Sequence, residues 1–175
     1  MRTYAAGEKA PTFAELLSTC RSSAVHLEIH DEHMTSDSEY AAWLVGEPYP
    51  DTGQARAWVE LVSGAVARGV KVRRARIISE PVSDYVRWEH AVVPKYQLPA
   101  GEVVRWLPRQ LASDLALPGN PYWVFDDRLV RFSLFGGDGE VRGHQFTEDP
   151  DVIKLCASAF EAVWERATPH EKYLI

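Results

Sequence analysis

Apolar positions along this chain recur every two residues in some stretches and every three or four in others, the respective signatures of strands and helices. Thr12-x-x-Glu15 ahead of Leu16 and Leu17 has the capping-box spacing and predicts a first helix at about 12–20. Val25, Leu27 and Ile29 alternate with His26, Glu28 and His30, which predicts a half-buried strand with three ionisable groups on its polar side. Ser36-x-x-Glu39 is expected to cap a helix through Trp43 that stops at Gly46. Asp51 is expected to cap a longer one through Trp58, Leu61, Val62 and Val66 that Gly69 ends. A strand follows from Val70 to Ile78. Pro81 then suits the first turn of a further helix with Val82, Tyr85, Val86 and Trp88 on its apolar side.

Pro94, Pro99, Pro108, Pro118 and Pro121 break up the second half, leaving strands at about 102–107 and 122–126 and a short helical turn around Ser113 to Leu117. The run Gly136-Gly137-Asp138-Gly139 separates Arg128–Phe135 from Glu140–Phe146 and reads as a hairpin turn. Asp149-Pro150 opens a last helix whose Val152, Cys156, Ala159, Phe160, Val163 and Trp164 must cover a sheet. Neither half has enough elements to close a core alone. The expectation is therefore one α/β domain over residues 1–175, a mixed sheet flanked by helices. The tail from Thr168 to Ile175 either docks on the domain or offers a strand to a partner.

Composition narrows the classes. With 175 residues, 46% of them hydrophobic, the chain can pack a core, and a net charge of −6 argues against a general binder of nucleic acid or anionic membranes. No apolar run approaches a membrane span and the first residues lack the apolar core of a secretion signal, so a cytoplasmic location is expected. Cys20 and Cys156 each fall in an expected amphipathic helix without paired spacing and read as buried thiols. Most of the six tryptophans read as core, four on helix faces and Trp106 and Trp123 on strands.

Candidate chemistry concentrates around Arg68, Lys71, Arg73, Arg74 and Arg76. Alternation places Arg74 and Arg76 on the side of Val72 and Ile78, where burial demands a partner: Glu80, Glu89, Asp126 or a bound anion. Two readings stay open. In one, Arg74, Arg76, Arg87, Arg105 and Arg109 hold an anionic or nucleotide-like ligand, Glu80 and Glu89 orient them, and Tyr85, Trp88 and Trp106 form the walls. In the other, the same charges form an internal salt-bridge network that fixes the sheet. An enzyme using Glu80 or Glu89 as general base is the competing functional class. His26-x-Glu28-x-His30 could address a metal, but a polar strand face at a solvated edge explains it more simply, and neither metal nor cofactor is expected. Asp126 and Asp127 are read as turn residues. No nucleophile elbow and no phosphate-cradling loop is present.

Several segments carry a family resemblance: 66–81, Trp-Leu-Pro-Arg (106–109), Phe-Asp-Asp-Arg (125–128) and 160–167. They resemble an uncharacterised actinobacterial domain-of-unknown-function family often encoded beside helix-turn-helix regulators, with a fold similar to one half of a phospholipase D-like unit. Those enzymes place a His, then a Lys two residues on, then an Asp five beyond. Counting back from Asp126 gives Gly119 and Pro121, and from Asp127 gives Asn120 and Tyr122. With no imidazole to attack and no ammonium to hold the phosphate oxygens, the superfamily's chemistry is not expected. The resemblance implies a non-catalytic regulatory or ligand-sensing domain that partners a DNA-binding regulator without touching DNA itself.

Overall fold

The computed structural model describes residues 1–50 and 52–175, so the expected cap at Asp51 lies outside the described residues. In chain order the elements are β1 (Arg2–Ala5), α1 (Phe13–Thr19), β2 (Ser23–Glu28), α2 (Ser38–Leu44), α3 (Gln54–Ala67), β3 (Lys71–Ile78), α4 (Asp84–Val92), β4 (Val103–Pro108), β5 (Tyr122–Phe125), β6 (Leu129–Phe135), β7 (Val141–Thr147), α5 (Pro150–Arg166) and β8 (Thr168–Pro169). The strands form one mixed sheet in the order β1-β7-β6-β5-β2-β3-β4-β8. β2, β3 and β4 run parallel, joined by helical crossovers, while β5 turns back antiparallel to β2 and begins a meander through β6 and β7.

Alternation decides what each face receives. Val25, Leu27, Ala75, Ile77, Leu107, Tyr122 and Val124 meet the apolar stripe of α5, with Cys156, Phe160 and Val163 fully buried. On the opposite face Ala24, Val72, Trp123 and Phe125 pack under α1 and α3, and Val104, Trp106 and Ile78 pack under α4. His26, Glu28, Arg74 and Arg76 share the parity of Ala24 and Val72, so the sheet lays them on this second, helix-covered face. The strand carrying His26 and Glu28 is therefore central and its polar side is buried, contrary to the expected solvated edge; both neighbours of β2 shield it.

Local chemistry explains the element ends. The Thr12–Glu15 capping box is formed in full. At α2 the cap is Asp37, which accepts from the Glu39 amide at 2.7 Å, while Ser36 one step earlier donates instead to Glu140. Ser83 caps α4 by accepting from the Val86 amide, so Pro81 precedes that helix rather than opening it. The helical turn expected at 113–117 occurs earlier, as a 3-10 turn at Arg109–Ala112 following Pro108. Asp126 and Asp127 both adopt left-handed backbone at the β5–β6 reversal, which Asp tolerates better than most residues. The tail docks: Thr168–Pro169 pairs with β4, and Tyr173 is buried with its ring stacked near Trp106. β1 was not legible, because four residues with no alternation acquire strand geometry only by pairing with β7.

Candidate functional site

The centre of the helix-covered face is a ladder of buried ion pairs. Parallel register sets His26 opposite Arg74 and Glu28 opposite Arg76. Arg74 bonds Glu28 through Nη1 and donates from Nε to Glu102 Oε1 at 2.7 Å. Arg76 contacts Glu89 of α4 and lies 2.9 Å from Glu28 Oε2, the latter off hydrogen-bond alignment, so that oxygen accepts no formed bond. Arg74 and Arg76 are 7% and 4% exposed and Glu28, Glu89 and Glu102 7%, 5% and 1%. Charges this deep persist only when paired, and removing one partner strands the other. Indole rings complete the packing, Trp58 and Trp123 within 5.6 Å of the Arg74 guanidinium and Trp106 at 5.2 Å from that of Arg76.

Electrostatics within the ladder is unbalanced. Among the described residues two guanidinium groups face three carboxylates, a formal excess of one negative charge. Burial raises the Glu28 carboxyl, but Arg76 and Arg74 outweigh it and hold Glu28 well below the usual carboxylate range. Burial pushes Glu89 up to about 7 against the pull of Arg76, with Glu28 adding to the rise. The surplus thus falls on Glu89. Burial also holds His26 well below its ordinary value, so it is a neutral imidazole, stacked 4.3 Å from Trp123 with Nδ1 3.3 Å from Glu28.

This geometry divides the residues that the sequence had gathered into one cleft. Arg74, Arg76 and Glu89 do meet, with Tyr85 and Trp88 alongside and Trp106 beneath Arg76. The others lie elsewhere. Arg105 points to the α5 face, where it donates to the Trp164 carbonyl and lies over that ring, because its parity is opposite to that of Trp106. Arg109 sits at the strand ends and bonds Asp31, Ser79 and the Ile29 carbonyl. Glu80 is exposed and accepts from the Tyr173 hydroxyl, and Arg87 is on the outer side of α4. Nor is Asp126 a partner of the arginines. Its carboxylate gathers the amides of Arg21, Ser22 and Ser23 at 2.7–3.0 Å.

Two pockets flank the ladder. One of roughly 290 Å³ is lined by Glu39, Trp58, Arg76, Tyr85, Trp88, Glu89 and Tyr96 among others. The second, roughly 280 Å³, lies over β2, β5, β6 and β7, with His26, His33, Arg131, Ser133 and His144 in its wall. Among the described residues Arg131 has no carboxylate neighbour within ion-pair range, and it donates from Nη2 to His144 Nε2 at 2.8 Å; a guanidinium has no acceptor, so that ring nitrogen is unprotonated. Among the described residues Arg131 Nε and His33 Nδ1 are buried without partners, while the Phe132 backbone acts as a hydrogen-bond acceptor for the His144 ring. Burial lowers the pKa of Arg131 and of each of these histidines. Sequence reading missed this site, since Arg131, Ser133 and His144 belong to a hairpin whose inner face is fixed only by pairing with β5. Among the described residues no group of three His, Cys, Asp or Glu is arranged to hold a metal ion, and no helix is long and apolar enough to cross a membrane.

Comparison with known proteins gives likeness at low levels. The archaeal chromatin protein TrmBL2, whose structure is described as showing a novel mode of DNA binding, aligns at 16% identity and a TM-score of 0.48 over 88% of this chain and 47% of its own. A phosphatidylserine synthase from Haemophilus influenzae aligns at 11% identity and a TM-score of 0.44 over 89% of this chain and 35% of its own. This chain spans less than half the length of either, and neither protein's activity transfers at such similarity. No curated protein matches the chain. A sequence model does: it describes a domain of unknown function, DUF6879, and matches residues 11–175, and the chain belongs to that family.

Proposed function

We propose that this chain is a non-catalytic, ligand-sensing domain that binds a small anionic molecule in the pocket built on Arg131, His33 and His144. The observation that carries the reading is the half-buried Arg131 guanidinium, which meets a neutral imidazole where buried arginines elsewhere in the molecule meet carboxylates. A carboxylate or phosphate would complete it, with donors available from Arg131 Nε, His33 and Ser133. The Trp123–His26 stack and Phe135 offer flat and apolar walls for the remainder of such a ligand. Glu28 also reaches this pocket, but its charge is countered by Arg74 and Arg76.

Catalysis is disfavoured because Glu28, Glu89 and Glu102 are each paired with an arginine, so among the described residues no carboxylate of the ladder stands apart as a general base. In this reading the fold is a phospholipase D-like half-unit without the attacking His and Lys, its turn Asp126 reused to hold backbone amides. A helix-turn-helix regulator as the partner rests on the family resemblance alone.

Titration calorimetry with adenosine monophosphate, pyrophosphate and citrate at pH 6.5 tests the proposal. At least one should bind, with Arg131→Gln weakening it about tenfold or more, while Arg128→Gln in the same hairpin, exposed and paired with Glu148, changes little. Absence of binding by all three, or equal loss in both variants, would sink the idea.

A further inference from the structure

The aromatic pocket on the other side of the ladder has the opposite chemistry. Its wall is formed by Trp58, Tyr85, Trp88 and Tyr96, with the rings of Tyr85 and Trp88 5.2 Å apart. Its charged lining is Asp37, Glu39 and Glu89 against Arg76, three formal negatives to one positive among the described residues. Arg76 is already spent on Glu28 and Glu89. Polar atoms are left over as well: among the described residues Trp88, 8% exposed, has no partner for its indole N–H, and the buried Gln97 Oε1 has no donor.

We propose that this pocket is a second site, for a small organic ammonium ion that bears N–H donors, seated against the aromatic rings with its charge toward Glu89. The unbalanced ladder supplies the reason. Two arginines cannot neutralise three carboxylates, and burial raises the Glu89 carboxyl against the pull of Arg76, so Glu89 is where the ladder takes up a proton as pH falls; an incoming cation competes with that proton at the same carboxylate. Aromatic faces favour a desolvated cation, and Gln97 Oε1 gives an N–H a second acceptor. The groups acting on Glu89 are Arg76 and Arg74 from β3, Glu28 from β2 and Tyr85 from its own helix. Glu39 and Asp37 line the same pocket from the α2 side; burial raises the Glu39 carboxyl, with the Tyr96 hydroxyl that donates to it and then Lys95 pulling the other way. This site is independent of the Arg131 pocket, and either can fail alone.

The balance is simple: an ammonium enters charged, and the Glu89 proton leaves to solvent. Affinity should therefore rise with pH between 6 and 8, with net proton release seen as a buffer-dependent calorimetric heat. The probe is n-butylammonium chloride, with tetramethylammonium chloride as the variant lacking N–H groups. Butylammonium should bind more tightly than tetramethylammonium, and Glu89→Gln should weaken it about tenfold or more and abolish proton release. Arg131→Gln should leave this binding unchanged. Should Glu89→Gln fail to fold, Glu39→Gln, on a half-buried side chain, should still weaken butylammonium several-fold. No binding by wild-type protein, binding unchanged in whichever of these carboxylate variants folds, or affinity that falls as pH rises would overturn the proposal.

Discussion

Asp126 illustrates how a single side chain can have a role that its sequence context conceals. A turn carboxylate is expected to bond its own backbone, yet this one accepts from three consecutive amides and a hydroxyl at residues 21–23, tying the β5–β6 reversal to the start of β2. Burial raises its pKa, but those amides and the Ser22 hydroxyl draw it well below the usual range. Asp126→Ala should cost about 2 kcal/mol, read as a lowered denaturant midpoint with unchanged slope. Asp127→Ala removes only an exposed side chain in the same conformation and should cost much less. Arg74 is the harsher case. Arg74→Met leaves Glu28 and Glu102 buried with one guanidinium fewer, and a loss of about 3–5 kcal/mol follows. Only an unchanged thermal midpoint would contradict it. The two thiols are inert by the same logic: burial raises Cys20 to about 11 and Cys156 to about 12, so both should resist alkylation until unfolding.

Edge elements depend on contacts that no local pattern records. β1 joins the sheet through β7, where Gly143 has a φ of 150° and an added Cβ would collide with the Tyr4 carbonyl. Gly143→Ala should therefore detach β1 and raise hydrogen exchange at residues 3–5 while the core amides stay protected. At the opposite edge Tyr173 anchors the tail through its ring beside Trp106 and its hydroxyl on Glu80 at 2.6 Å. Removing the ring by Tyr173→Ala should destabilise by roughly 3 kcal/mol and expose β4, checked by tryptophan fluorescence and exchange at Val103–Pro108. Central elements were more readable. α5 carries its own N-cap, Asp149, and an apolar stripe long enough to cover five strands, so its sequence specified its start and its buried side.

All six histidines of the molecule have pKa values lowered by burial. The unfolded chain therefore binds protons first as pH falls below about 6.5, and stability drops with it. Glu89, pushed up to about 7, acts the other way, since its native state holds a proton that the unfolded state releases above about 4.5. Six groups outweigh one, so the denaturant midpoint should fall between pH 7 and 5. A flat or rising midpoint would mean that the histidines are more accessible than their burial shows. Periodicity and capping determine most of this architecture, because helices and strands are set by the spacing of apolar residues within a dozen positions. The same parity placed Arg74 and Arg76 on a buried face. It could not name Glu28 and Glu102 as their partners, nor send Arg105 to the opposite layer and Arg109 to the strand ends. It also could not reveal Arg131 and His144 as neighbours. Those pairings follow from strand order and register, which join residues far apart in the chain, and the free energy of burying a charge is decided by what stands within a few ångströms after the sheet has closed.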